Sequence, residues 1–170
     1  MTKISNLNRR DFLKVSGTGV AVFIAGQILF PASAQAAVTG KGGIYPLVDI
    51  GPISGLPVGA AVEFRYPDED SPAVMVHLAE SAKQGIGPKN AIVAYSTLCT
   101  HKGCPVKFHP EHKMLICPCH CRTFDAAKAG AIVIGQASQP LPQIKLRLEG
   151  DRVQAYGVDG LIYGRHTNIL

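Results

Sequence analysis

The chain has no tryptophan, only 6% aromatic residues and only 17% charged residues in 170 positions. A sparse and unpatterned charge set gives no footprint for nucleic acid. Of the net charge of +5, a balance of +3 lies in the first fourteen residues, where Lys3, Arg9, Arg10 and Lys14 face Asp11. The remainder sits near +2, too little to bind a membrane surface or a phosphate backbone. No run reaches the roughly 20 consecutive apolar residues that a spanning helix needs. Helical periodicity sustained over three turns is missing after about residue 40, as are internal repeats. Cysteine is absent before position 99 and after position 121, so the sulfur chemistry belongs to one local site. At this length the chain accommodates one domain with a sizeable core plus a targeting segment.

What is present begins with the first thirty-six residues. Asn8-Arg9-Arg10-Asp11-Phe12-Leu13-Lys14 resembles the twin-arginine export signal, whose core is two arginines, a spacer, Phe, Leu and often Lys. Val15 to Phe30 follows, moderately apolar and broken by Ser16, Gly17, Thr18, Gly19, Gly26 and Gln27. Ala32-Ser33-Ala34 and Ala34-Gln35-Ala36 each fit a cleavage site. Residues 1–36 are therefore expected to be a signal peptide directing the chain to the periplasm. Cleavage is the expected fate, and retention as an N-terminal anchor, the one route to membrane contact, is the alternative. The twin-arginine route carries folded proteins, often with a cofactor installed, so the leader implies a cofactor.

From residue 43 to 170 the pattern is one of short strands. Ala61–Tyr66, Ala73–Leu78, Ile92–Tyr95, Met114–Ile116, Ala131–Ile134, Ile144–Leu148 and Val153–Tyr156 are β-branched or aromatic runs bounded by Pro, Gly, Asp or Asn. Glu149-Gly150-Asp151-Arg152, between two alternating runs, reads as a tight hairpin turn. Ser81 to Gly87 has room for a short turn. The expected fold is all-β, an antiparallel sandwich or small barrel. A cysteine- and histidine-rich pair of loops is set into it between about residues 97 and 125.

Those loops read Cys99-Thr100-His101-Lys102-Gly103-Cys104 and Cys117-Pro118-Cys119-His120-Cys121. One C-x-H and one C-x-x-H make a four-ligand site from Cys99, His101, Cys117 and His120. Zinc accepts such a Cys₂His₂ set. Against zinc stand Cys104 and Cys119, interleaved with the ligands in a chain marked for export.

The two loops resemble the Rieske iron–sulfur motif, Cys-Thr-His-x-Gly-Cys and Cys-Pro-Cys-His. The resemblance implies one [2Fe-2S] cluster per chain, with Cys99 and Cys117 on one iron and His101 and His120 on the other. It also implies a Cys104–Cys119 disulfide joining the loops. Such a bond closes about 15 residues and is worth about 3 kcal/mol in the chain-entropy model, and it suits an oxidising compartment. Neutral imidazoles replacing thiolates lower the negative charge at the iron that accepts the electron. Rieske centres accordingly span about −150 to +300 mV, against about −400 mV for all-cysteine plant-type clusters.

The Rieske subunits of cytochrome bc complexes continue their second loop as Gly-Ser-x-Tyr, whose hydroxyls donate toward the cluster sulfurs. Here Cys121, Arg122, Thr123 and Phe124 stand at those positions. Phe124 has no donor, so the expected potential lies below the top of the range unless Thr123 or the charge of Arg122 compensates. Cys121, the odd fifth cysteine, is expected to be a small buried hydrophobe. Its rival role is to replace Cys119 as the partner of Cys104. His77, His109, His112 and His166 are expected to be surface or packed histidines, and Asp68-Glu69-Asp70 a solvated turn. Gly135-Gln136-Ala137-Ser138-Gln139-Pro140 falls where the family has a loop covering the cluster, without that loop's Gly-Pro start.

Across the leader, the stretch from Phe64 to Val74, Ser96 to His101, and Gly157 to Asn168, the chain resembles the small subunits of arsenite oxidases. The resemblance implies an electron-transfer subunit with no catalytic residue of its own. A large molybdenum–pterin subunit would oxidise arsenite, and a c-type cytochrome or small copper protein would accept the electrons. The leader would export the large subunit as a passenger. The alternative is the Rieske subunit of a quinol-oxidising cytochrome bc-type complex, which would normally keep a longer anchor and the Gly-Ser-x-Tyr segment.

Overall fold

A computed structural model describes residues 45–169. The leader, with its twin arginines and cleavage sites, lies outside the described residues. Among the described residues, ten strands form two antiparallel sheets: β1 (Val48–Pro52), β2 (Ala61–Arg65), β3 (Pro72–His77), β4 (Ile92–Ser96), β5 (Lys107–His109), β6 (Met114–Cys117), β7 (Arg122–Asp125), β8 (Ala131–Ile134), β9 (Gln143–Glu149) and β10 (Arg152–Asp159). The larger sheet runs β1-β10-β9-β4-β3-β2, and the smaller one β5-β6-β7-β8. The only helical element among the described residues is a single 3-10 turn at Pro88–Asn90. The Ser81–Gly87 stretch makes a turn closed by Gly85 N–H donating to the Ala82 carbonyl.

The all-β architecture follows from the apolar runs. β3 and β4 carry unbroken hydrophobic sequence because both of their faces are buried. Val74, Val76, Val93 and Tyr95 face one core, while Ala73, Met75, Ile92 and Ala94 face a second. β9 instead alternates: Ile144 and Leu146 are buried, and Lys145 and Arg147 are exposed. The β9–β10 hairpin closes on the pair Glu149–Arg152, with Gly150 at φ +61° in the turn. A glycine adopts that left-handed backbone without penalty.

The insertion positions the site. The chain leaves the larger sheet after β4, builds the entire smaller sheet, and returns as β9 beside β4. The first core therefore lies between the sheets, where Leu115 of β6, Phe124 of β7 and Leu141 meet Val76, Val93 and Tyr95. Cys99 and Cys117 belong to this same core. Three strands carry no strand signal in the sequence: β5 has three residues, β1 contains Gly51 and Pro52, and β7 falls inside the cysteine- and histidine-rich stretch.

Candidate metal centre

Two hairpin-like connections, β4–β5 and β6–β7, carry the cysteines and histidines. In the first, Val106 N–H donates to the Thr97 carbonyl (2.9 Å), and Leu98 bridges Pro105. Cys99 N–H donates to Cys104 (2.9 Å) and Gly103 N–H to Cys99 (2.7 Å), which folds the C-x-H segment into a tight turn. Gly103 sits at φ +71°, and a Cβ there would lie 2.6 Å from ring carbons of Tyr163. In the second connection Cys117 pairs in register with Arg122, so Pro118 to Cys121 form a four-residue turn at the strand ends. Cys104 and Cys119 form a disulfide, with Cα atoms 6.5 Å apart, and so join the two turns.

The four expected ligands separate into an inner and an outer pair. Cys99 and Cys117 are free thiols, both buried in the core between the sheets. Burial, reinforced by the neighbouring Cys117, pushes the Cys99 thiol upward against the pull of the His101 backbone N–H. His101 and His120 lie outside them, with ring centroids 4.8 Å apart and planes nearly perpendicular at 87°. His101 is partly buried and His120 exposed. The Nδ1 atom of His101 is buried and has no hydrogen-bond partner. Burial first, and then the charge of Arg122 and the neighbouring His120 and Lys102, hold the His101 imidazole below its usual range, in the neutral form that ligates metals.

This donor set fits a two-metal cluster. A buried pair of adjacent thiols resists ionisation unless a cation draws off the protons. An orphaned buried ring nitrogen costs free energy unless it finds an acceptor of its lone pair or a donor's role. The Sγ atoms of Cys104, Cys117 and Cys119 also lie within 4.8 Å of one another. Two of those sulfurs are spent in the disulfide and offer no thiolate, so among the three only Cys117 is available to a metal.

A third segment, residues 135–142 between β8 and β9, is bonded to both turns. Thr100 Oγ1 donates to the Gln139 carbonyl (2.7 Å), and Ser138 Oγ donates back to the Thr100 carbonyl (2.9 Å). Arg122 Nε donates to the Gln136 carbonyl (2.9 Å) while its Nη1 donates to the His120 carbonyl (2.7 Å). The C-terminal segment backs this arrangement: Gln139 Nε2 donates to the Leu161 carbonyl (2.6 Å), and Tyr163 packs on Gly103. A cleft of about 270 Å³ opens beside His101, between Ser138 and Gln139 on one side and Leu161 and Tyr163 on the other.

Other residues singled out in the sequence take structural places. His77 Nδ1 meets the Leu56 carbonyl (2.8 Å), and His109 pairs with Glu111 (3.2 Å). His112 and His166 are exposed. Cys121 departs from expectation. It is exposed and free, because at φ +52° it occupies the turn ahead of β7 and not the core, and Cys119 is the one that pairs with Cys104. Asp68 does more than sit in a solvated turn, since Arg165 grips its carboxylate. No local pattern links positions so far apart; Ser138 falls in the segment 135–140 expected to cover the cluster, whereas Tyr163 and Arg165 carried no signal of their own near the site.

Comparison with known proteins adds three findings. The family model described as "Rieske [2Fe-2S] domain" matches residues 48–145. The chain is similar to the iodate reductase subunit IdrB of Denitromonas iodatirespirans, 38% identical over 165 residues that cover 95% of this chain and 86% of that one. To the cytochrome bc1 complex Rieske iron-sulfur subunit of Streptomyces lividans it is 43% identical over 56 residues, 32% of this chain and 33% of that one. Among solved structures, the soluble domain of the Rieske protein II (soxF) from Sulfolobus acidocaldarius aligns with a TM-score of 0.65 at 22% identity, over 75% of this chain and 85% of that one.

Proposed function

The chain belongs to the Rieske [2Fe-2S] domain family, and from that premise we propose that Cys99 and Cys117 hold one iron of the cluster, His101 and His120 the other, and that the chain relays single electrons for a larger catalytic subunit. The observation that carries the ligand assignment is the sorting of donors: two adjacent thiols buried in the core, and two imidazoles outside them with the buried Nδ1 of His101 unsatisfied. When bound, the cluster supplies a one-electron couple at a potential above that of all-cysteine clusters. Cys99 and Cys117, being buried, would shield from water the iron they would hold. The exposed ring of His120 gives electrons a short path to a docked partner.

The finer reading is the small subunit of a periplasmic arsenite oxidase. Arsenite oxidation releases two electrons at a molybdenum–pterin centre of the large subunit. This chain takes them one at a time and passes them to a c-type cytochrome or small copper protein. The flanking segments Phe64–Val74 and Gly157–Asn168 support it, since they owe nothing to ligating a cluster. Asp68, Tyr163, Arg165 and Asn168, all within them, brace the site from behind. Residues 1–36 would export the chain by the twin-arginine pathway. A second reading, the Rieske subunit of an iodate reductase, is favoured by the near full-length similarity to IdrB. The short match to the bc1 subunit gives less support to the quinol-oxidising alternative.

Electron direction separates the three. In the natively purified complex, arsenite bleaching the visible absorption of the oxidised cluster supports arsenite oxidase. Iodate restoring the absorption of the reduced cluster, with no response to arsenite, supports the second reading. Bleaching by a quinol analogue alone overturns both.

A further inference from the structure

One side chain at the site has a reach the ligand assignment does not use. Arg122 opens β7 directly opposite Cys117, and its guanidinium forks between the His120 carbonyl of the second turn and the Gln136 carbonyl of the third segment. Gly135 makes room for it. That residue sits at φ +91°, and a Cβ there would stand 2.8 Å from Nη1 and 3.0 Å from Nε of Arg122. Four other cations are answered by acids, Arg152 by Asp49, Arg165 by Asp68, Lys113 by Glu80 and Lys128 by Asp125. No carboxylate among the described residues lies within ion-pair distance of Arg122.

We propose that Arg122 is a positioning residue that clamps the third segment onto the second ligand turn and, by its unanswered charge, raises the reduction potential of the cluster. The proposal rests on the ligand assignment above. A fixed positive charge beside a site that gains an electron stabilises the reduced state. The site has need of such a device. Phe124 is fully buried in the core and has no hydroxyl to donate. The guanidinium serves in two ways because its donors are fixed in a planar fork that bridges two carbonyls, which a lysine ammonium matches in charge but not in geometry.

Potentiometric titration of the cluster-loaded full chain tests this, with R122Q, R122K and the unsubstituted protein followed by the paramagnetic signal of the reduced cluster. R122Q is expected to lower the ratio of reduced to oxidised cluster at a fixed ambient potential about tenfold, equivalent to about 59 mV for a one-electron couple. R122K, retaining the charge, is expected to stay close to the unsubstituted ratio. An R122Q midpoint equal to the unsubstituted one overturns the proposal, as does an R122K midpoint that falls as far as R122Q. Should R122Q hold no cluster, salt takes its place: screening of the guanidinium lowers the reduced fraction of the unsubstituted protein as ionic strength rises, and a salt-independent midpoint is the overturning result. G135A keeps every charge but crowds the fork, and faster bleaching on warming is expected. Bleaching at the unsubstituted rate refutes the clamp. Unsubstituted protein without a Rieske-type signal would instead fail the ligand assignment itself.

Discussion

Arg165 donates two parallel hydrogen bonds, 2.6 and 2.7 Å long, to the carboxylate of Asp68, which lies 97 positions earlier in the chain. The pair ties the turn after β2 to the C-terminal segment whose Tyr163 packs on the first ligand turn. Asn168 fastens the same segment, accepting from Ile162 N–H (2.9 Å) and donating to the Gly160 carbonyl (2.7 Å). Residues remote from any ligand thus hold the wall against which Gly103 folds.

The charge pair makes a pH-dependent contribution. The Arg165 hydrogen bonds hold Asp68 below the usual carboxylate value of 3.8. A depressed folded-state pKa gives stability that is fully present above the unfolded value and is lost as pH falls through the folded one. D68N is therefore expected to be less stable than the unsubstituted chain at pH 7 by about 1 kcal/mol, a figure that allows for the partial exposure of the pair. Thermal melts should show the two curves converging below pH 3.8. A gap that stays constant into acid would contradict the assignment of that stability to the ionised pair.

Gly103 is under two constraints, the left-handed backbone at φ +71° and the ring of Tyr163. G103A is expected to cost about 1–3 kcal/mol and to lower the fraction of protein that retains the cluster. The double variant G103A/Y163A removes the steric part and leaves the backbone part, so it should recover some but not all of the loss. Full additivity of the two substitutions would show that the ring is not the obstacle.

The ligand assignment has its own test. H120S removes an exposed imidazole that makes no core contact, so the fold is expected to persist by circular dichroism while the paramagnetic signal of the reduced cluster disappears. An unaltered signal in H120S would remove His120 from the ligand set.

Much of this architecture was legible in the chain. The apolar runs of β3, β4, β6, β8, β9 and β10 announced strands through β-branched and apolar residues, most of which in β3, β4, β9 and β10 are buried on one face or two. The Glu149–Arg152 turn announced its hairpin through Gly150. The donor set was legible because spacing within a loop is local information. What escaped was short or distant. β5 and β1 lack a sustained pattern. Arg165–Asp68 and Thr100–Gln139 form only when the C-terminal segment and the third segment pack beside loops far away in sequence. The exposure of Cys121 depended on a backbone angle that no residue type requires there.

The three free cysteines should therefore separate by reactivity. Cys121 is exposed, whereas Cys99 and Cys117 lie in the core between the sheets. Brief alkylation of the folded protein, followed by peptide mapping, is expected to label Cys121 alone. The other two should react only after unfolding, since accessibility and thiolate character together govern thiol reactivity. Cys104 and Cys119 should appear as one linked peptide pair in the unreduced digest. C121S is expected to leave that link and the cluster absorption unchanged, because the turn needs a left-handed residue at 121 but makes no use of its sulfur. A digest in which Cys104 is linked to Cys121 instead would overturn the disulfide pairing. It would also free Cys119, whose sulfur lies close to that of Cys117, to compete for the metal.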